Sequence, residues 1–130
     1  LDHFKQVNDT HGRLVGSKLL SEMGYTIKSQ LRLIDYAFRY GGDEFVVLLP
    51  QTGGDAGLIV ARRIRDALRK SAFCKAEGLN INVRASMGMA TYPHDATTPH
   101  EVIRQADNMM YEVKNTTRDN IGMAQRGVVE

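Results

Sequence analysis

Cysteine is nearly absent: Cys74 is the one cysteine in 130 residues. A lone cysteine closes no internal disulfide, and no CxxC or Cys/His grouping has zinc-ligand spacing. His11, His94 and His100 stand too far apart in sequence to read as a ligand set. Long apolar runs are missing too. None approaches the ~20 residues that span a bilayer, and no signal-peptide pattern opens the chain. One-signed charge is also lacking. Seventeen Lys and Arg against fifteen Asp and Glu give a formal charge of +2. A polyanion binder carries a stronger basic excess or a basic stripe, so neither DNA nor RNA is an expected partner, and no membrane contact is expected. There is no linker, repeat or low-complexity tract. What is present is 42% hydrophobic and 25% charged, enough for one modest core. The expectation is a single cytoplasmic domain over residues 1–130.

The periodicities are clear from Leu20 onward. Leu20, Met23, Ile27, Leu31 and Ile34 step by three or four and predict one helix face. Tyr36 to Tyr40 reads as a short strand, Gly41-Gly42-Asp43 as a tight turn, and Glu44 to Leu49 as a buried strand ended by Pro50. Residues 55–71 predict an amphipathic helix with Val60, Ile64 and Leu68 inward and Arg62, Arg63, Arg65 and Lys70 mostly outward. Asn80 to Met89 alternates apolar and polar, as a half-buried strand does. Thr98, Pro99 and Glu101 form the N-cap, N1 and N3 of a capping box. The helix they open is expected to bury Val102, Ala106, Met109, Met110 and Val113. Arg118 to Ala124 reads as a last strand, and Leu1 to Phe4 as the end of a strand running into a loop. This order predicts an α+β fold, an antiparallel sheet flanked by helices, with the chain beginning inside the domain.

The unusual feature is Gly41-Gly42-Asp43-Glu44-Phe45. Two acids sit at a hairpin tip whose glycines leave space for a ligand. Carboxylates held at a strand end suit magnesium, which takes few protein oxygens plus substrate phosphates. A bare GGD turn is more often only a solvated hairpin, so the surroundings decide. The string is flanked by Arg39-Tyr40 and by Val46-Val47-Leu48-Leu49-Pro50, and in that setting it resembles the GGDEF family of diguanylate cyclases. Further segments match in order. Asp2-His3-Phe4-Lys5-Gln6-Val7-Asn8-Asp9 is similar to the family's DxDxFKxxND segment, and Gly12 and Gly16 fit its GHxxGD element. Ser86-Met87-Gly88-Met89-Ala90 resembles its SxGxA strand. Ala106-Asp107, Tyr111 and Lys114 fit ADxAxYxAK, and Arg118 fits GRN.

The resemblance implies a polymerase-palm-like, ferredoxin-like core. It also implies condensation of two nucleoside triphosphates (GTP and, where Ser17 relaxes the base choice, ATP) into a 3′,5′-cyclic dinucleotide with release of pyrophosphate. Two subunits of a homodimer would face each other, with Mg2+ (or Mn2+) as cofactor. Carried over residue by residue, Asp43 takes the metal position. Glu44 is the neighbouring acid that assists metal binding or deprotonation, and the Leu1 carbonyl is a further metal ligand. The amides of His3 and Phe4 reach the phosphates, and Lys5, Lys114 and Arg118 hold them. Asn8 contacts the base and ribose, while Gly41 and Gly42 give the nucleotide room. Lys114 and Arg118 read equally as a cationic helix end, and Asp9 as a turn or cap residue.

There are departures. The family has a metal-binding Asp just before the position of Leu1. Asp2, the second Asp of that segment, does not replace it, because successive strand side chains point to opposite faces. The GRN motif reads Thr117-Arg118-Asp119, and Arg13 and Ser17 stand for the His and Asp of GHxxGD. In the family that Asp reads guanine: a carboxylate only accepts, and suits the guanine N1–H and N2–H2 donors. A serine hydroxyl donates or accepts and should tolerate adenine. The change resembles the hybrid promiscuous subgroup, which makes cyclic AMP-GMP along with cyclic di-GMP. Arg32-Leu33-Ile34-Asp35, ahead of Gly41, is similar in place to the family's RxxD site for product inhibition. Its plainer reading is a helix-end salt bridge. The alternatives are a standard GTP-only cyclase and a catalytically lapsed domain that binds cyclic di-GMP through Arg32 and Asp35.

Overall fold

The computed structural model describes residues 1–124 and 126–129. Helix α1 (Phe4–His11) follows a turn at Asp2 and His3, and Gly12, at φ 90°, divides it from α2 (Arg13–Ser29). Strands β1 (Tyr36–Gly41) and β2 (Glu44–Leu48) form an antiparallel hairpin. Helix α3 (Gly54–Lys70) and a single 3-10 turn (Lys75–Glu77) lead to β3 (Met87–Met89). Helix α4 (Pro99–Lys114) crosses to β4 (Ile121–Met123), which pairs with β5 (Gly127–Val128).

The architecture is α+β, as the sequence predicts, but the strands divide into a two-stranded sheet, β1-β2, and a three-stranded sheet, β3-β4-β5. The latter is mixed rather than antiparallel. β3 and β4 run parallel because a helix, α4, makes the connection between them. The first two residues join the β1–β2 turn to the segment before β3. The Leu1 amino group donates to the Asp43 carbonyl (3.3 Å), and the Asp2 N–H donates to the Arg84 carbonyl (2.9 Å).

The core packs α2 against α3. Leu19, Met23 and Ile27 meet Ile64 and Leu68, closed by Phe73, Cys74 and Val83. Each fully buried leucine contributes about 1.5–3 kcal/mol. A second cluster joins Leu58 and Ala61 of α3 to Ile121 and Met123 of β4. Arg65, expected outside, is buried on α3, and Leu58 and Ala61 join the inward face. On α4 only Val113 is fully buried, while Val102, Ala106, Met109 and Met110 are half-buried.

Other boundaries shift as well. α2 ends at Ser29 and does not reach Ile34, which is exposed; Leu31 still packs on the core. The expected Asn80–Met89 alternation is seen in burial only from Asn80 to Arg84 (Val83 is 3% exposed); residues 85–89 are all half-buried, and only Met87–Met89 pairs as strand. Ile81 makes one isolated bridge to Phe73. Half the capping box forms: Thr98 Oγ1 accepts from the Glu101 N–H (3.2 Å), but the Glu101 carboxylate pairs with Arg104 instead of returning to Thr98. Among the described residues no helix is long and apolar enough to cross a membrane.

Candidate active site

The Gly41–Glu44 tip positions the acids. Gly41 pairs with Glu44 and Arg39 with Phe45, so the ladder skips Tyr40 and the tip twists. Gly42 takes φ 50°, which suits glycine. Arg39 Nε donates to the Gly42 carbonyl (2.7 Å) and fixes the loop from below. The sequence reading used Arg39 only as a flank and gave it no role. A Cβ placed on Gly41 or Gly42 would meet nothing within 4 Å, so the space beside the acids is open.

Asp43 and Glu44 are half-buried. Asp43 Oδ2 lies 3.8 Å from the Leu1 amino group. The charges of Asp43, Lys114, Asp2 and Glu44 all act at the Leu1 nitrogen. Lys114, Asp43, Glu44 and Leu1 therefore share one electrostatic neighbourhood, brought together from the end of α4, the hairpin tip and the start of the chain. Lys5, Lys114 and Arg118 have no ion-pair or side-chain hydrogen-bond partner among the described residues, as is also true of Arg13, Lys28, Lys70 and Lys75. Arg118 does not lie on a helix end: α4 closes at Lys114, and Arg118 sits beyond it at φ 53°.

His3 is the α1 N-cap at φ 61° and offers no side-chain hydrogen bond. The first turn of α1 thus keeps orphan N–H groups that favour an anion. Asn8, on the same helix, faces α2. A Cβ on Gly16 would stand 1.9 Å from Asn8 Oδ1, so the bare Gly16 is the seat of the Asn8 amide. Ser17, the next residue, is exposed. Gly88 of the SxGxA segment and Gly122 of β4 are packing devices. A Cβ on Gly88 would lie 2.0 Å from the Ala106 carbonyl oxygen, and one on Gly122 would lie 2.9 Å from Met109 and Val113 side-chain carbons.

Arg32 and Asp35 are also brought together. Arg32 Nε and Nη2 grip the Asp35 carboxylate (2.8–3.2 Å), the Arg32 N–H donates to Asp35 Oδ2 (2.8 Å), and Nη2 reaches the Pro50 carbonyl (2.9 Å) and Thr52 Oγ1 (3.0 Å). The guanidinium holds the Asp35 pKa below its usual value. This pair sits at the opposite end of β1 from the acids, roughly 17 Å along the strand. Nη1 has no partner among the described residues.

Two carboxylates at the tip, with hard oxygen donors and open space, fit a small divalent cation that completes its shell with phosphate oxygens. Among the described residues the one three-donor cluster lies elsewhere, at Glu22, Cys74 and Glu77, and Lys18 already pairs there with Glu77 (2.9 Å). A cleft of about 330 Å³ between α1 and residues 82–84 includes neither acid.

A family model described as "Diguanylate cyclase, GGDEF domain" matches residues 1–120. Diguanylate cyclase A of Treponema denticola is 35% identical over 128 residues, 98% of this chain and 34% of that protein. The chain thus spans about a third of the length of that curated relative. The solved GGDEF domain of YfiN (TpbB) from Pseudomonas aeruginosa superposes with a TM-score of 0.88 at 32% identity, covering 95% of this chain and 77% of that one. The GGDEF domain of DgcB from Caulobacter crescentus, solved with c-di-GMP, gives 0.80 at 26% identity over 95% of this chain and 73% of that one. The acid-bearing turn and these matches lead to one conclusion: the chain belongs to the GGDEF domain family.

Proposed function

We propose that this domain condenses two nucleoside triphosphates into a 3′,5′-cyclic dinucleotide with release of pyrophosphate. The observation that carries the reading is the glycine turn that holds Asp43 and Glu44 beside Leu1 and Lys114 with open space around them. Mg2+ or Mn2+ held by Asp43, Glu44 and the Leu1 carbonyl would supply charge neutralisation of the triphosphate and a lower pKa for the attacking 3′-hydroxyl.

The remaining work belongs to the chain's own residues. The leading amides of α1, at His3 and Phe4, meet the phosphates. Lys5, Lys114 and Arg118, unpaired among the described residues, hold their charge. Asn8, seated on Gly16, contacts the base and ribose. Catalysis on this account is mostly positioning and electrostatics. One such site holds one nucleotide, so condensation calls for two domains face to face, a homodimer. The full-length protein with GTP should make product, and Asp43→Asn should abolish it with the fold retained. Undiminished synthesis by the variant would remove the metal assignment.

Ser17 favours a second, finer reading, in which ATP is accepted beside GTP and cyclic AMP-GMP is made with cyclic di-GMP. Its exposed hydroxyl neighbours the Gly16 seat of Asn8, where the base is expected. Unpaired buried polar groups cost ~1–3 kcal/mol, enough to change base preference tenfold. Ser17→Asp should shift the product toward cyclic di-GMP, and an unchanged ratio would leave the GTP-only reading. Arg32 and Asp35 are assigned to a cyclic dinucleotide product. Nη1 of Arg32 is open to it, and Nη2 and Nε already hold the carboxylate that orients the guanidinium.

A further inference from the structure

Asp2 is buried, 7% exposed, and both of its carboxylate oxygens are claimed. Ser86 Oγ donates to Oδ1 (2.7 Å), and the backbone N–H of Asp119 donates to Oδ2 (3.0 Å). The Asp2 N–H itself donates to the Arg84 carbonyl (2.9 Å). One side chain thus ties the start of the chain to the segment before β3 and to the loop after α4.

That loop needs holding. Arg118 and Asp119 are consecutive non-glycine residues at φ 53° and 44°, a region L-residues rarely occupy. The Arg118 N–H donates to the Val113 carbonyl (2.8 Å), and the next N–H along, that of Asp119, is the one Asp2 accepts. Both peptide groups flanking the Arg118 Cα are therefore pinned. Asp119 is clamped further. Arg69 Nε and Nη2 bind its carboxylate (3.1 Å each), Arg69 Nη2 binds its carbonyl (2.9 Å), and Arg84 Nε lies 3.5 Å from Oδ2. The Arg118 side chain, exposed and carried on this clamped backbone, has no partner among the described residues.

We propose that Asp2 is a positioning residue: through the Asp119 backbone it aims the Arg118 guanidinium at the triphosphate. The inference rests on the phosphate role given to Arg118 above. Asp2 touches no reacting atom, and it acts on phosphate binding rather than on the base.

The test is a double-mutant cycle in the full-length protein, read by calorimetric binding of a non-hydrolysable GTP analogue and of GMP. Arg118→Ala should weaken the analogue at least about tenfold and leave GMP unchanged. Asp2→Ala should do the same, and the double variant should bind no more weakly than Arg118→Ala alone. Asp2→Asn should restore most of the affinity, because its oxygen can accept from Asp119 and its amide can donate to Ser86. Should Asp2→Ala fail to fold, Ser86→Ala, which removes a single hydroxyl, carries the cycle. Its smaller loss, about two- to fivefold, should vanish in the Arg118→Ala background. Additive losses, or an equal loss for GMP, would show that Asp2 only packs and would overturn the inference. An Arg118→Ala effect without an Asp2 or Ser86 effect would overturn it while leaving the proposed function standing. No effect of Arg118→Ala would overturn the phosphate reading, and this inference with it.

Discussion

Gly41→Ala separates a glycine kept for a ligand from one kept for the fold. The residue lies in β1 outside the left-handed region, and an added methyl would meet no atom within 4 Å. The protein itself therefore gives no steric reason for glycine there. Replacing it should reduce the freedom of the unfolded chain and stabilise the domain by about 0.4–1 kcal/mol, a rise of a few degrees in its melting transition. A nucleotide pressed against the turn would meet the methyl directly. Overpacking of that kind costs about 1–3 kcal/mol, a loss of roughly five- to 150-fold in product formation. The assay pairs thermal unfolding with chromatographic measurement of cyclic dinucleotide from GTP and magnesium. Gly88→Ala is the opposing control. Its methyl would fall 2.0 Å from the Ala106 carbonyl and 2.3 Å from the Met110 nitrogen, so stability itself should drop. Full activity in Gly41→Ala would refute the claim that the open space beside the acids receives the nucleotide. A fall in stability would refute the steric reasoning.

Gly16→Ala should displace the Asn8 amide and reproduce the nucleotide-binding loss of Asn8→Ala with little change in stability, since the atom in the way is the end of a side chain; calorimetry with a GTP analogue checks it, and unchanged affinity would count against the Asn8 role. The Arg32–Asp35 clamp should be fully present at neutral pH and lost in acid. The Asp35 pKa is depressed from 3.8 in the folded state, so its contribution disappears as pH falls through that lower value. The stability gap between wild type and Arg32→Ala should thus be level from about pH 8 to 5 and close below about pH 4, and a gap that widens in acid would contradict it. Burial pushes the Cys74 thiol up to about 11, so folded protein at pH 8 should resist iodoacetamide. Because the unfolded thiol ionises nearer 9.0, that group should cost stability as pH rises above 9, and alkylation at the rate of a free thiol would contradict the buried placement.

The parts of the fold that the sequence reveals are those whose cause is local. Thr98 and Pro99 open α4 where the capping pattern predicts, and Gly42 turns the hairpin. The signal fails where the cause is distant. Helix α1 offers only Phe4 and Val7 as apolar positions, too few for a period to register. Residues 80–84 have strand-like burial without a ladder, because their backbone pairs only through the isolated two-bond bridge of Ile81 with Phe73 and the Asp2 N–H to the Arg84 carbonyl. The hairpin acids, Asn8, Gly16, and Arg32 with Asp35 are legible as motif residues, though the seating of Asn8 on Gly16 is not. Asp2, Arg69, Arg84 and Asp119 are not, since a network joining residues more than a hundred positions apart leaves no pattern in one chain.

The most direct measurement is the product made by the full-length protein from equal GTP and ATP with magnesium, identified by mass spectrometry. The account expects a cyclic dinucleotide released with pyrophosphate, cyclic AMP-GMP among the products, and none from Asp43→Asn. Product made equally well by Asp43→Asn, or none from a wild-type protein shown to be dimeric and to bind GTP, would contradict the claim that the Gly41–Glu44 turn is the site of nucleotidyl transfer.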